Sequence, residues 1–349
     1  MVQLSYNRIK SKLHRVQSFV NYVMLEIVLK ARKFDNDHFE LGMVLPRYRT
    51  LIKKVNSNYL LDPLKTMYEV CRRLNSVQLK ILRKAVYSNN KIEELCKGEI
   101  QPVHYSEIEQ VLGDENKEFI EALKVFCNSL YNSCLRRKPF VNEYDNMSTY
   151  YKSLVKRNST CIMCGVPNTI SIELDDVVSA FDHYLPRALY PFNSVNLDNL
   201  VPTCDACNQK YKRDVDPLFA ADNLFLKENQ LRCFFPFSGK EYPIVVDVKF
   251  LSSYRQNMPI EDIKVDLTCT GKQEEVDNWD RIYHIKQRYR SFIGNDDFFN
   301  KYKFTWNEAM SHDIPIEKII QMKENNMEAD MYFLEVPFLK AALASRKIR

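Results

Sequence analysis

Glycine is scarce in this chain, with 7 residues in 349 against 20 Tyr and 20 Phe. That scarcity argues against a loop-rich sandwich and against a fold built on glycine-lined cofactor loops, and favours helices packed through aromatic side chains. Long apolar runs are missing as well: the most apolar early stretch, Phe19 to Ala31, carries Asn21, Glu26 and Lys30 and is too short to span a bilayer. No charged segment followed by an apolar run and a small-residue cleavage site opens the sequence, so a reducing, cytoplasmic setting away from membrane is expected. Charge of one sign does not dominate either. A net +5 and a pI near 8.5 fall short of a surface given over wholly to nucleic acid, and neither require nor exclude that partner. Repeats and low-complexity segments are absent.

What is present divides into three stretches of an α+β, mostly helical protein: a helical region over 1–156, a cysteine-rich module over 157–240 and a mixed strand and helix region over 241–349. In the first, Leu13, Val16, Val20, Val23 and Ile27 recur at spacings of three and four, an apolar stripe that predicts a helix packed within its own bundle. Ser106 and Glu109 have capping-box spacing, and Phe119, Leu123, Phe126 and Leu130 line one side of a helix expected from about Asp114. Another helical pattern runs from Met147 to Lys156 and ends in a polar break, Arg157 to Thr160. Beyond residue 240 two alternating runs, Ile244 to Phe250 and Ile263 to Cys269, predict half-buried strands. Val276, Trp279, Ile282, Tyr283 and Lys286 then mark one face of a helix, and the basic tail Ser345 to Arg349 reads as a solvated end.

The chemistry concentrates in the middle. Cys161-Ile-Met-Cys164 and Cys204-Asp-Ala-Cys207 are two Cys-x-x-Cys knuckles, each able to turn two sulfurs to one point. Together they make the tetrahedral thiolate shell that Zn²⁺ prefers, a closed site that holds shape and leaves no position open for catalysis. Cys71, Cys96, Cys127, Cys134, Cys233 and Cys269 fall mostly on apolar faces and are expected to be buried thiols. Between the knuckles lies more chain than a simple zinc ribbon needs. Val177 to Phe181 reads as a strand leading into Asp182-His183-Tyr184-Leu185-Pro186, and Asn199 to Thr203 as a second short strand before Cys207-Asn208 opens a basic helix. The other histidines, His14, His38, His104, His284 and His312, have no such context.

Asp-His-x-x-Pro, then Asn-Leu-Val-Pro, then Cys-x-x-Cys-Asn, in that order between zinc knuckles, resembles the ββα-metal core of HNH endonucleases over about 50 residues. The third motif letter is Asn where the founding pattern has His, an HNN variant. The resemblance implies that His183 is the general base, that Asn199 holds the loop carrying it, and that Asp182 and Asn208 bind one catalytic divalent cation. An amide oxygen is a hard ligand, which favours Mg²⁺ or Mn²⁺. Arg187, Lys210, Lys212 and Arg213 are candidates for gripping nucleic-acid phosphates, and Tyr184 and Tyr211 either stack on a base or pack. The family likeness further implies DNA as substrate with 5′-phosphate and 3′-hydroxyl products. HNH modules with large helical extensions resemble effectors of prokaryotic anti-phage defence systems, in which a partner such as an ATPase restrains or licenses the nuclease. Two alternatives stay open: a catalytically silent zinc ribbon that docks nucleic acid or a partner protein, and a nuclease directed at RNA. No helix-turn-helix or base-reading finger is legible in the flanking regions.

Overall fold

A computed structural model describes residues 5–156, 160–166, 181–220, 226–325 and 331–346. Among the described residues the chain is mostly helical with two small antiparallel sheets. In the N-terminal region the apolar stripe packs inward: Leu13, Val16, Val20, Val23 and Ile27 are all buried. The stripe does not ride one uniform α-helix. His14–Tyr22 is α-helical, Val23–Ile27 winds more loosely as a π-type turn, and Val28–Lys33 tightens to 3-10 geometry. Phe19 lies at the centre of an aromatic cluster, with ring centroids 5.1 Å from Tyr48, 6.5 Å from Phe126 and 6.3 Å from Phe140. Offset and edge contacts of this kind add to the burial of large apolar area, and they let a glycine-poor chain close a core without tight backbone approaches.

Helix Lys117–Asn132 follows a short 3-10 turn at Asp114–Asn116 and buries Phe119, Leu123, Phe126 and Leu130. The capping box before it lies elsewhere than the sequence spacing suggested. Helix Tyr105–Leu112 starts one residue before Ser106, and the reciprocal pair is His104 with Glu107, because His104 has the extended backbone that an N-cap requires. A second box, Asn75 with Gln78, opens Ser76–Ser88.

In the C-terminal region β3 (Val245–Phe250) pairs antiparallel with β4 (Ile263–Thr268) in the register Val246↔Leu267, Val248↔Val265 and Phe250↔Ile263. These six residues share the buried face, and helices Ile285–Ile293 and Tyr332–Arg346 cover the pair. Helix Gln273–Tyr283 buries Val276, Trp279, Ile282 and Tyr283, but Lys286 is not on it: His284 at φ 52° turns the chain, and Lys286 belongs to the next helix. Ser345 is buried, its hydroxyl accepting from Tyr254 N, so the expected solvated tail begins no earlier than Arg346; residues 347–349 lie outside the described residues.

One continuous buried cluster runs from Tyr6 to Ala342 through all three expected regions. The break at 157 and most of the strand expected over Val177 to Phe181 lie outside the described residues. The N-terminal segment is itself part of the weld. Tyr6 N donates to Pro236 O at 2.7 Å, Gly239 N to Tyr6 O at 3.2 Å, and the Tyr6 hydroxyl to Pro202 O at 3.1 Å.

The caps offer a direct check. Asn75→Ala is expected to cost about 1 kcal/mol, whereas Ser106→Ala, on an exposed position that caps nothing, is expected to stay within about 0.5 kcal/mol. Urea unfolding of the two variants beside the parent reads both, and the reverse order would contradict the placement of the helix starts.

Candidate functional site

Two segments far apart in the chain meet at the four cysteines. At the first knuckle Gly165 N and Cys164 N both donate to Cys161 O, at 2.8 and 3.3 Å, and Cys161 N donates to Val166 O at 2.9 Å. This tight turn ends on Gly165 at φ +69°, where a Cβ would meet the Phe333 ring at 2.5 Å, so only glycine fits. At the second knuckle the chain turns into the π-type helix Ala206–Lys212. The sulfurs of Cys161, Cys164, Cys204 and Cys207 lie within 4.8 Å of one another, with Cys161 to Cys207 at 4.0 Å and Cys164 to Cys204 at 3.9 Å. Four sulfurs bound tetrahedrally at about 2.3 Å from zinc sit about 3.8 Å apart. The cluster therefore fits a structural zinc site.

Side chains around it are arranged for sulfur that carries charge. Cys204 N donates to Cys161 Sγ at 3.3 Å, and Arg288 Nη1 to Cys207 Sγ at 3.2 Å. Hydrogen bonds from the three neighbouring cysteines hold the Cys204 thiol well below its ordinary pKa. The Arg288 pKa is pushed up by the cysteine sulfurs despite its burial. The C-terminal helices also hold the first knuckle by its backbone, with Trp279 Nε1 donating to Met163 O at 2.7 Å and the Tyr289 hydroxyl to Cys164 O at 2.9 Å. Among the described residues these cysteines are the one convergent group of three or more His, Cys, Asp or Glu ligands.

Beside the cluster, β1 (Phe181–His183) pairs antiparallel with β2 (Leu200–Pro202), matching Asp182 to Val201 and His183 to Leu200. Asn199, at the head of β2, is fully buried and grips the chain beyond β1. Its side-chain oxygen accepts from Leu185 N at 2.7 Å, its amide donates to Leu185 O at 3.0 Å, and its backbone carbonyl accepts from Tyr184 N at 2.9 Å. The His183 ring is half-buried, with Nε2 3.0 Å from Ser194 O. A carbonyl only accepts, so the neutral ring carries its proton on Nε2 and presents the Nδ1 lone pair. Burial pushes its pKa down to about 3; the Arg187 and Lys212 charges act in the same direction, and the bond to Ser194 opposes them. At neutral pH the ring is uncharged.

Asp182 and Lys212 form a pair that the sequence did not disclose. Lys212, expected on the phosphate-gripping surface, is 0 % exposed, and its ammonium donates to Asp182 Oδ1 at 3.0 Å and to His183 O at 2.8 Å. It is therefore withdrawn from phosphate contact, since the loose winding of Ala206–Lys212 points it inward beneath β1. Burial raises the Asp182 pKa and the Lys212 charge opposes that rise. The second carboxylate oxygen of Asp182 is buried without a hydrogen-bond partner. Asn208, the other residue expected to bind the catalytic cation, is half-buried on the second-knuckle helix.

Of the remaining candidates, Arg187 is half-buried, its guanidinium 5.3 Å from the Tyr131 ring centroid and bonded to Asn132 Oδ1 at 3.2 Å. Lys210 and Arg213 are exposed, and Arg213 Nε donates back to Gln209 O at 3.1 Å. Tyr184 is buried and packs, whereas Tyr211 is half-buried with Arg288 4.5 Å over its ring. Sequence reasoning missed Tyr131, whose ring meets His183 edge-on at 4.5 Å from the end of a helix in another region. It also missed the role of His104, bonded through Nε2 to Asp216 at 3.0 Å; the Tyr190 hydroxyl donates to the same carboxylate. That buried trio ties the chain just beyond Ala206–Lys212 to the helical region. The six cysteines outside the knuckles are free and buried, as expected.

No family model matches the chain, and no solved structure matches it. Part of it is similar to Protein ea31 of Escherichia phage lambda, 38% identical over 104 residues. That stretch is 29% of this chain and 29% of the relative, so the chain spans under a third of the curated protein it matches. No described helix is long and apolar enough to cross a membrane.

Two measurements test this geometry. Elemental analysis is expected to find one zinc per chain, lost in Cys161→Ser or Cys207→Ser and kept in Cys134→Ser; equal retention in all three would refute the site. Lys212→Met leaves a buried carboxylate uncompensated and is expected to cost about 3–5 kcal/mol, while Lys210→Met on the exposed side should change stability by less than about 0.5 kcal/mol.

Proposed function

We propose that the chain is a metal-dependent endonuclease of the HNH type that hydrolyses DNA phosphodiester bonds. The observation that carries this reading is the β1–β2 pair. It sets Asp182 and His183 beside the four-cysteine cluster, with the Asn199 amide clamping the backbone that follows His183. A mere binding ribbon has no use for a neutral, oriented imidazole next to a buried carboxylate.

Hydrolysis needs a base for water, a counter-charge for the phosphoryl oxygens and a fixed geometry. His183, held by its Nε2–H on the Ser194 carbonyl, offers Nδ1 to take a proton from the attacking water. Asn199 fixes the loop that carries the ring, and Arg187 stands ready for a phosphate oxygen. Lys212 keeps the Asp182 carboxylate ionised and oriented with one oxygen free. Asp182 and Asn208 are the residues that would hold the cation, which when bound neutralises charge on the phosphoryl and leaving oxygens. Attack on phosphorus with departure of the 3′ oxygen gives 5′-phosphate and 3′-hydroxyl ends. The same proposal includes a role as an effector of a prokaryotic anti-phage system with a partner ATPase. It rests on the motif resemblance and on the extent of helical chain around the module.

One observation favours the catalytically silent zinc ribbon: the Lys212 ammonium already neutralises Asp182, and a cation there has to share the carboxylate with it. The experiment is incubation of wild type and His183→Ala with supercoiled plasmid and Mg²⁺ or Mn²⁺, with zinc content measured in both. Nicking by the wild type, reduced about 10²–10⁴-fold in a zinc-replete His183→Ala, is the expected result. Equal cutting by both removes His183 as the base, and an inert wild type that binds zinc favours the silent module.

A further inference from the structure

β3 belongs to a sheet of two strands: one of its edges faces β4 and, among the described residues, no strand pairs with the other. Leu251 N donates to Asp262 O at 2.9 Å, one step beyond the paired strands and in the same register. Hydrogen-bonded and non-hydrogen-bonded positions alternate along an antiparallel ladder, so Val245, Asp247, Lys249 and Leu251 direct their backbone groups to β4. Val246, Val248 and Phe250 turn theirs to the open edge. That edge borders a groove of about 700 Å³ whose other wall is the helix Tyr332–Arg346, presenting Phe333, Val336, Pro337 and Ala341. Lys340 and Glu324, which also line the groove, pair with each other.

The exposed face of β3 is poorly matched to β4. It carries Val245, Asp247 and Lys249, with Leu251 next in the alternation, and the register sets Asp247 opposite Asp266 and Lys249 opposite Lys264. Like charges directly opposite destabilise a ladder, and Asp247 and Lys249 pair instead along their own strand at 2.7 Å. Val245 and Leu251 are 59% and 58% exposed. Open edges are ordinarily blunted by proline, a bulge or charge. β3 has no proline and an unbroken register, and the lysine that could repel another strand comes with Asp247 two residues away.

The same face is matched to a second copy of itself. Antiparallel pairing about a two-fold axis at Val248 sets Val248 opposite Val248 of the second copy and Val246 opposite Phe250, all positions whose backbone groups point to the open edge. On the exposed face that register sets Asp247 opposite Lys249 and Val245 opposite Leu251. Sliding the strands by two residues either way would set Asp247 against Asp247 or Lys249 against Lys249. One register therefore satisfies the charges, the apolar ends and the hydrogen-bond alternation together.

We propose that the open edge of β3 is a dimerisation surface, on which two copies of this chain pair β3 to β3 about Val248 and form one continuous four-stranded sheet. A two-fold contact of this kind is self-complementary, as closed dimers require. The groove receives the second strand, and its apolar wall covers the Val246, Val248 and Phe250 side chains that the strand brings. Phe333 on that wall is also the ring that meets the first knuckle at Gly165, so one side chain braces both the dimer edge and the cysteine cluster. The surface does not depend on the nuclease reading.

The test is sedimentation equilibrium of the full-length, zinc-replete chain from about 1 to about 100 µM, a range that reads micromolar dissociation constants. The mass is expected to rise from 41.3 kDa toward twice that value. Asp247→Lys and Lys249→Asp each put like charges across the dimer edge while removing a like-charge pair with β4, so folding is not what they weaken. Each should raise the Kd roughly tenfold or more, since the two-fold axis makes every altered contact twice. Asp247→Lys/Lys249→Asp restores opposite charges across the edge and should return the Kd to within about threefold of the parent. A chain that stays monomeric at the highest concentration overturns self-pairing and leaves the edge to a strand of another protein. A dimer indifferent to both single substitutions lies on another face, and weakening by the singles without recovery in the double overturns the register.

Discussion

Four sulfurs within 4.8 Å of one another are the constraint on which the centre of this molecule depends. As thiolates they repel, and only a cation at their midpoint turns that repulsion into a bond network. Closing the cluster fixes where residue 161 meets residue 204, and so fixes both ends of the insertion that carries β1 and β2. Among the described residues the two strands pair over three residues each, too few to hold a hairpin by those hydrogen bonds alone. Their stability is borrowed from the cluster behind them and from Trp279, Arg288 and Tyr289, which reach in from the C-terminal helices to hold its backbone and sulfur.

A second constraint acts one layer further in. Placing Asp182 under β1 buries a carboxylate, which is tolerable only with a partner. Lys212 supplies it from the end of the second-knuckle helix, and the same ammonium bonds the His183 carbonyl. Strand and helix are thereby locked through charge as well as packing. The oxygen left without a partner, Asp182 Oδ2, shows that the lysine does not exhaust the carboxylate.

The helical region is more than a scaffold. It shares one buried cluster with the rest of the chain, sends Tyr6 to the β2 backbone and His104 to Asp216, and ends its helix Lys117–Asn132 against the His183 ring. With so little glycine, the contacts between regions are made by side chains reaching across gaps, above all tyrosines and arginines whose polar tips find backbone or carboxylate partners. A change in the helical region can therefore be felt at the site without any motif there to announce it.

What the sequence determined by itself is whatever depends on short spacing. Two Cys-x-x-Cys knuckles, the alternation in β3 and β4, the apolar stripe from Leu13 to Ile27 and the Asp182-His183 pair all express a local geometry that neighbouring residues impose on one another. Only the tertiary structure decided the direction in which single side chains point when the backbone leaves regular geometry. Lys212 and Lys210 sit two residues apart on a loosely wound turn, and the winding sends one into the interior and the other into solvent. His104 rather than Ser106 caps its helix because the chain enters extended at that residue. Tyr131 reaches His183 because a helix more than forty residues upstream ends there, and no periodicity records where a helix ends in space. Long-range burial of charge and aromatic area set these placements, and it acts between residues that only the finished fold brings together.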